Sequence, residues 1–135
     1  MTRQEWAGIA AEIQAYWLNP VLEDSTLEAW YADVEDLDPA LARDGLRMIA
    51  REGVRFAPTG GQIRVAALRI AQAKRDEQHR LADERLAEEF GIRVSDLNMA
   101  RYRFKDRATP ERLREYAAWK GGQRQITAPK EEAAA

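Results

Sequence analysis

The chain has 135 residues, of which 45% are apolar and 33% are charged, a balance typical of a globular protein with one modest core or a small domain plus an appendage. It contains no cysteine, which excludes disulfides and thiolate metal sites. No apolar run approaches the roughly 20 residues needed to span a bilayer, and no secretion signal opens the sequence, so a cytoplasmic protein without membrane contact is expected.

The net charge of −2 hides a gradient along the chain. Residues 1–52 carry 4 basic and 11 acidic side chains, residues 53–100 carry 8 and 7, and residues 101–135 carry 9 and 5. An acidic front and a basic rear indicate two surfaces with different partners, although chance surface composition gives the same gradient.

The first predicted helix opens with Thr2–Glu5, which has the spacing of a capping box. In such a box the two side chains accept hydrogen bonds from each other's backbone N–H groups. The apolar residues that follow recur at helical spacing on one face, and Asn19-Pro20 ends the helix. That face consists of Trp6, Ile9, Ala10, Ile13, Tyr16 and Trp17.

Two further helices are predicted before residue 54. Ser25–Glu28 has the spacing of a second capping box, and the apolar stripe that begins at Leu27 belongs to the helix it opens. Asp38-Pro39 is an N-cap followed by proline at the first helical position. Gly53 is the predicted C-terminal cap of this third helix.

The stretch FAPTGGQI, Phe56–Ile63, is the one place where a proline and two adjacent glycines interrupt the helical pattern. A nucleotide-binding loop needs a lysine and a Ser/Thr after its last glycine, and Gly61 is followed by glutamine and isoleucine instead. Thr59–Gln62 fits a capping box, and Pro58 favours an extended residue before it. The stretch therefore predicts the entry to a fourth helix, with Phe56 packing back onto the core.

The fourth helix is predicted from about Gly60. Its first part is apolar on one face, whereas Lys74–Glu89 is charged on almost every side, as in a solvated helix that projects from or links packed parts. Its lone histidine, His79, has no second histidine nearby and is predicted to be a surface residue, because a catalytic or metal site needs convergent partners.

Two more helices are predicted in the rear. Gly91 interrupts the pattern, Ser95 caps a fifth helix, and Thr109-Pro110 opens a sixth that ends at Gly121-Gly122. Residues 123–135 are predicted to be a disordered tail. The predicted fold class is thus all-α: a four-helix bundle over residues 1–72, then a charged helix and a basic helical module over residues 73–122, with helix-turn-helix as one interpretation.

A Trp-Tyr pair, an acidic segment, a helix, a Phe-x-Pro-Thr turn and an Ile-Arg helix follow one another in the front half. In this order residues 1 to about 72 resemble the N-terminal domain of bacteriophage replicative-helicase loader/inhibitor proteins. Ala57 stands where the family turn has its first proline, and Gln62 where it usually has glutamate. The matching residues are Trp30, Tyr31, Leu37, Phe56, Pro58, Thr59, Ile63 and Arg64.

The resemblance implies a small all-helical domain in a protein that binds a hexameric replicative helicase and delivers it to the origin, in the host cytoplasm if the chain is phage-encoded. In such proteins the C-terminal part contacts the helicase. Read from the residues alone, the aromatic positions are core and the acidic segment is a solvated helix end. The candidate partner contacts are Asp33, Glu35, Asp36, Arg80 and Arg85.

The segment RLAEEFGIRVSDLNMARYRFK has the spacing of a helix-turn-helix around Gly91. Its second helix would present polar side chains to a major groove, with cations at its end for phosphates. A helical hairpin that packs on itself or on a twin has the same pattern, and Asp96 and Asp106 weaken a nucleic-acid surface. The candidate DNA contacts are Arg93, Ser95, Asn98, Arg101, Tyr102, Arg103, Lys105 and Arg107.

The sequence shows no zinc, di-iron or calcium pattern and no nucleophile elbow, so we expect neither an enzyme nor a cofactor. The leading hypothesis is a phage-type replication accessory protein that binds and loads, or inhibits, a replicative helicase. The alternative is a helix-turn-helix DNA-binding regulator. A third hypothesis is a helical phage inhibitor of a host enzyme.

Overall fold

The computed structural model describes residues 1–105 and 109–127, the last five of them as backbone only. All regular structure in this part of the chain is helical, which confirms the all-α fold class. No helix within these residues is long and apolar enough to cross a membrane. The helices are α1 (Arg3–Tyr16), α2 (Asp24–Val34), α3 (Pro39–Arg51), α4 (Gly60–Phe90), α5 (Val94–Phe104) and α6 (Pro110–Thr127).

The chain divides into two compact units, and the division falls inside α4. Unit 1 comprises Met1–Asp76, and unit 2 begins at Glu77. Every residue of α4 from 72 to 82 is exposed. Each unit has a core of its own, as two separate clusters of buried apolar side chains show.

The core of unit 1 forms where α1, α2, α3 and the first part of α4 meet. Two of its tryptophans are anchored by hydrogen bonds as well as by burial: the Trp6 indole N–H donates to the Leu27 carbonyl and that of Trp17 to the Val54 carbonyl, both at 3.0 Å. A buried indole N–H needs such an acceptor. Its other fully buried side chains include Ile9, Ile13, Val34, Leu46 and Ile63.

A glycine sets the approach of α3 to α4. A Cβ at Gly45 would lie 2.8 Å from the backbone N of Ala67 and 3.0 Å from the backbone O of Ile63, closer than side chains tolerate. Only glycine therefore lets the two backbones come this close, and the neighbouring buried residue on α4, Ala66, is also small.

Two of the predicted helix starts in unit 1 are confirmed by their hydrogen bonds. The backbone N–H of Thr2 donates to Glu5 at 2.6 Å, and that of Glu5 donates to the Thr2 hydroxyl at 3.2 Å. The Asp38 carboxylate accepts from two N–H groups of the first turn of α3, at 2.9 and 3.1 Å. Gly53, with φ of +69°, follows the end of α3 as predicted.

The predicted start of α2 is wrong. Its N-cap is Glu23, without a side-chain hydrogen bond, and not Ser25. The Gln14 amide explains the earlier start, because its oxygen accepts from the Leu22 N–H at 2.8 Å and its nitrogen donates to the carbonyls of Trp17 and Leu18 at 2.8 and 3.3 Å. The Gln14 side chain thus fixes the loop between α1 and α2 as far as Leu22. The next residue, Glu23, is the N-cap of α2.

Unit 2 contains the last turns of α4, together with α5 and α6, which pack against each other. Gly91, where the helical pattern is predicted to break, takes the left-handed conformation, with φ of +63°. Its N–H donates to the Glu88 carbonyl and that of Ile92 to the Ala87 carbonyl, both at 3.0 Å, which is the Schellman pattern of a helix end. The buried residues are Ala87, Ile92, Leu97, Ala100, Leu113 and Ala117.

Two predicted boundaries in the rear are wrong, the start of α5 and the end of α6. α5 begins at Val94 after Arg93, so Ser95 is not its cap; Ile92 is buried directly after the Gly91 turn, and the Leu97 N–H already donates to the Arg93 carbonyl at 3.1 Å. α6 starts after Thr109 as predicted, but it runs past Gly121-Gly122 to Thr127. Neither of these glycines takes a positive φ. A glycine with a negative φ weakens a helix but does not end it. Residues 123–127 of the predicted tail are therefore helical, and residues 128–135 lie outside the described part.

Candidate functional site

The turn between α3 and α4 is built as a rigid corner against α2. The Thr59 N–H donates to the Gln62 side chain at 2.9 Å, and the Gln62 N–H donates to the Thr59 hydroxyl at 3.2 Å, so the predicted capping box is present. A Cβ at Gly60 would lie 2.5 Å from the backbone O of Trp30, which means that α4 starts in direct contact with the α2 backbone. Pro58 is fully buried beneath this corner.

An ion pair closes the same corner on its other side. The Arg64 guanidinium donates to both carboxylate oxygens of Asp36 and to the Asp33 carbonyl, the last at 3.2 Å. These hydrogen bonds hold the pKa of Asp36 below its usual value and raise the pKa of Arg64. The carboxylates of Asp33 and Glu35 stay exposed, while the Glu35 carbonyl accepts from the N-terminal ammonium of Met1 at 2.6 Å.

Phe56 departs from its predicted position. Its side chain is 70% exposed, so it does not pack back onto the core. The reason is that Pro58 and Ala57 already occupy the space beneath the turn. The Arg55 guanidinium lies over the exposed ring, 5.4 Å from its centroid.

A groove of about 610 Å³ opens beside this ring, between the end of α3, the turn and the start of α4. It is not among the features predicted from the sequence. The signal was available in Val65, an apolar residue of α4 off the stripe that faces the core, and this side chain is half exposed at the groove. The residues that line the groove include Met48, Ile49, Glu52, Val54, Arg55, Phe56, Val65 and Arg69.

A second exposed surface lies on α5 in unit 2. Residues three and four apart share a face of a helix, and on this face Ser95, Asn98, Met99 and Tyr102 are all exposed. Met99 is 61% and Tyr102 79% exposed, which is high for large side chains. We call these four residues the α5 face. Arg93, Arg103 and Lys105 are also exposed, before, beside and after it.

Of the other arginines predicted to contact a partner or DNA, two form ion pairs within the chain. Arg101 is half buried and donates to Asp83 at 2.6 Å, so it is held within unit 2. On α4, Arg80 pairs with Glu77 and Glu84, and these pairs lower the pKa of Glu77 and raise the pKa of Arg80. Arg85 is exposed, and Arg107 lies outside the described residues.

Within the described ranges, no three His, Asp or Glu side chains lie close enough together to hold a metal ion. His79 is exposed in the charged part of α4. What the two surfaces offer is exposed aromatic and apolar area beside arginines, which is the chemistry of macromolecular binding.

No protein-family model, no curated protein and no solved structure matches the chain.

Proposed function

We propose that the chain is a non-catalytic accessory protein of DNA replication that binds a hexameric replicative helicase and loads or inhibits it. The supporting observation is that several residues of the resemblance meet one another or its acidic segment in space. The Trp30 backbone contacts the start of α4 at Gly60, Asp36 pairs with Arg64, and Thr59 caps α4. A motif whose members contact one another specifies a fold, and this favours the loader-like four-helix bundle for residues 1–72.

The helicase contact in this proposal is the α5 face. Met99 and Tyr102 are large, exposed and adjacent on one helix, and side chains of this kind are the usual anchors of protein interfaces. The acidic side chains of Asp33 and Glu35 provide a second contact from unit 1. The mechanism is non-covalent: the chain binds one state of the hexamer more tightly than another and thereby shifts its population, until a partner bound at the origin releases it.

A binding assay with purified replicative hexamers tests this proposal. Each hexamer of a panel of bacterial and phage helicases is immobilised and exposed to the full chain, and strand unwinding is measured in parallel. We expect one hexamer to bind the chain and the double variant Met99→Ala/Tyr102→Ala to bind it at least about tenfold more weakly. Tyr16→Ala, an exposed aromatic of α1, is the matched control and retains binding. Absence of binding to every hexamer would overturn the proposal.

The second candidate function is duplex DNA recognition by a helix-turn-helix formed by the end of α4, Gly91 and α5. It is favoured by the absence of any acidic side chain among the four residues of the α5 face and by the cations around it. Asn98 and Ser95 have the donors and acceptors that read base edges, and Arg93, Arg103 and Lys105 suit phosphates. Arg101 is not among these phosphate contacts, because its guanidinium donates to the Asp83 carboxylate.

Salt dependence separates the two candidates. If DNA is the ligand, a labelled duplex library binds the chain with an affinity that falls steeply as salt rises. Replacing Arg93, Arg103 and Lys105 by alanine would then reduce the slope of log affinity against log salt by about 3, since each phosphate contact contributes about 0.9. If helicase binding survives this triple variant and no duplex complex forms, the regulator hypothesis is wrong.

A further inference from the structure

The groove of unit 1 combines an apolar floor with an aromatic side chain that the fold does not use. Most residues of the α2–α4 corner have structural contacts: Pro58 is buried, Thr59 caps α4 and Arg64 pairs with Asp36. Phe56 meets the Arg55 guanidinium at its exposed ring, and Val65 adds apolar area on the α4 side. An exposed aromatic beside a concave apolar surface is typical of a binding site.

The charges at this groove differ from those elsewhere in unit 1. Outside the groove, five of the seven lysine and arginine side chains of the unit pair with carboxylates, as Arg3 does with Glu28 and Lys74 with Asp44, and Arg51 and Arg75 do not. Arg55 and Arg69, both at the groove, are absent from the ion pairs formed among the described residues of the unit. They are opposed by the single carboxylate of Glu52, so the groove is a basic site on a unit whose first 52 residues are strongly acidic.

We infer that this groove binds an amphipathic helix of a partner protein, with apolar anchors flanked by acidic side chains. Anchors spaced three and four residues apart would enter between Phe56 and Val65, as in other helix-in-groove complexes. Acidic flanks would meet Arg55 and Arg69, whose guanidinium groups bind carboxylates through two parallel hydrogen bonds. This site shares no residue with the α5 face, so the inference stands independently of the proposed helicase contact.

Synthetic peptides of about 18 residues, five helical turns, test the inference with the full chain. One peptide carries leucine and phenylalanine anchors on one face with glutamate flanks, a second has the same anchors with lysine flanks, and a third has the glutamate peptide's composition in scrambled order. Binding is measured by fluorescence anisotropy and mapped by amide chemical shifts. We expect the glutamate peptide to bind at least about tenfold more tightly than either of the others and to shift the amides of Val54, Phe56 and Val65.

Matched variants connect that binding to the groove. Phe56→Ala should weaken binding of the glutamate peptide at least about tenfold. Leu18→Ala is the control and should leave binding unchanged, because Leu18 is 71% exposed in the same unit but lies outside the groove. Arg55→Glu/Arg69→Glu should reverse the preference between the two charged peptides. Arg51→Glu/Arg75→Glu, which changes the net charge equally at arginines outside the groove, should leave the preference in place.

Three results would overturn the inference: equal binding of the glutamate and lysine peptides, binding unchanged in Phe56→Ala, or peptide shifts confined to residues outside the groove. Self-association of the chain that Phe56→Ala abolishes would also overturn it, because the groove would then hold a second copy. Each variant's far-UV circular dichroism must match the parent, and Phe56→Leu, which keeps an apolar side chain of similar reach, should retain most of the binding.

Discussion

Unit 1 and unit 2 close their cores with different side chains. Unit 1 buries Trp6 and Trp17 among several fully buried aliphatic side chains, and its α1, α3 and α4 begin at residues whose side chains accept hydrogen bonds from the first turn. In unit 2, three of the six core residues are alanines. Its α5 begins after Arg93, whose side chain forms no cap hydrogen bond. Alanines bury less apolar area than tryptophan and the larger aliphatic residues, so we expect unit 2 to be the less stable of the two.

Truncation of one buried leucine in each unit makes the sharpest test of this difference. Leu46 and Leu97 are both fully buried, and replacing either by alanine removes about 3 kcal/mol of unfolding free energy. We expect Leu97→Ala to abolish amide protection in unit 2 while unit 1 keeps it, and Leu46→Ala to leave a folded but weakened unit 1. Hydrogen exchange with mass spectrometry reads both units in the full chain. Loss of protection in α1–α3 on Leu97→Ala would mean that the two cores unfold together.

Two adjacent glycines test the corner of unit 1. Gly60→Ala would place a Cβ 2.5 Å from the Trp30 carbonyl oxygen, and relieving that clash costs about 2–3 kcal/mol. Gly61→Ala is the matched control, because its Cβ would meet nothing closer than the Thr59 hydroxyl at 3.9 Å. Denaturant midpoints followed by tryptophan fluorescence should therefore fall for the first variant alone. Equal midpoints for the two variants would show that α2 and the start of α4 are not in close contact.

Two glycines of unit 2 differ in backbone conformation, although both have free space where a Cβ would be added. A Cβ added to either Gly91 or Gly121 would have no atom within 4 Å, but Gly91 has φ of +63° and Gly121 lies within α6. Gly121→Ala should raise the stability of unit 2 by about 1 kcal/mol through helix propensity, and Gly91→Ala should lower it by about 1 kcal/mol. Thermal unfolding of unit 2 measures both, and a shift in the same direction for both would contradict the Schellman turn.

The smallest expected effect concerns the charge pair at the corner. Because Arg64 lowers the pKa of Asp36, the pair stabilises the folded state above the unfolded carboxyl pKa of 3.8, and this stabilisation is lost as the pH falls through the lower folded value. Asp36→Asn should therefore be less stable than the parent at pH 7 and equal to it at the acid end of the transition. Urea unfolding across pH checks this, and a difference that persists unchanged in acid would exclude the ion pair as its source.

The sequence predicted those features that depend on neighbouring residues. Thr2–Glu5, Thr59–Gln62 and Gly91 define their helix ends through hydrogen bonds within a few residues, and each was predicted correctly. The start of α2 depends on Gln14, eight residues before the loop backbone that it holds, and no local pattern reports such a contact. The predicted end of α6 is wrong because a glycine pair ends a helix only where one of the two residues is left-handed, and neither Gly121 nor Gly122 is.

In the candidate site, too, local features were predicted and contacts between distant residues were not. The α5 face was predicted because helical spacing alone brings Ser95, Asn98 and Tyr102 to one side, but the pairing of Arg101 with Asp83 across 18 positions was not. The groove was missed because Phe56 was assigned to the core on grounds of residue type. Which aromatic is buried depends on whether another side chain already fills the space, and here Pro58 does.

Gln14 illustrates a constraint that neither size nor hydrophobicity describes. Its amide presents a donor to two carbonyls and an acceptor to one N–H, so only a side chain with both polarities in this geometry fits. Glutamate, with nearly the same shape, would turn an oxygen toward two oxygens. In a deep-substitution experiment this half-buried position should therefore tolerate fewer replacements than the exposed positions beside it, Ala15 and Tyr16.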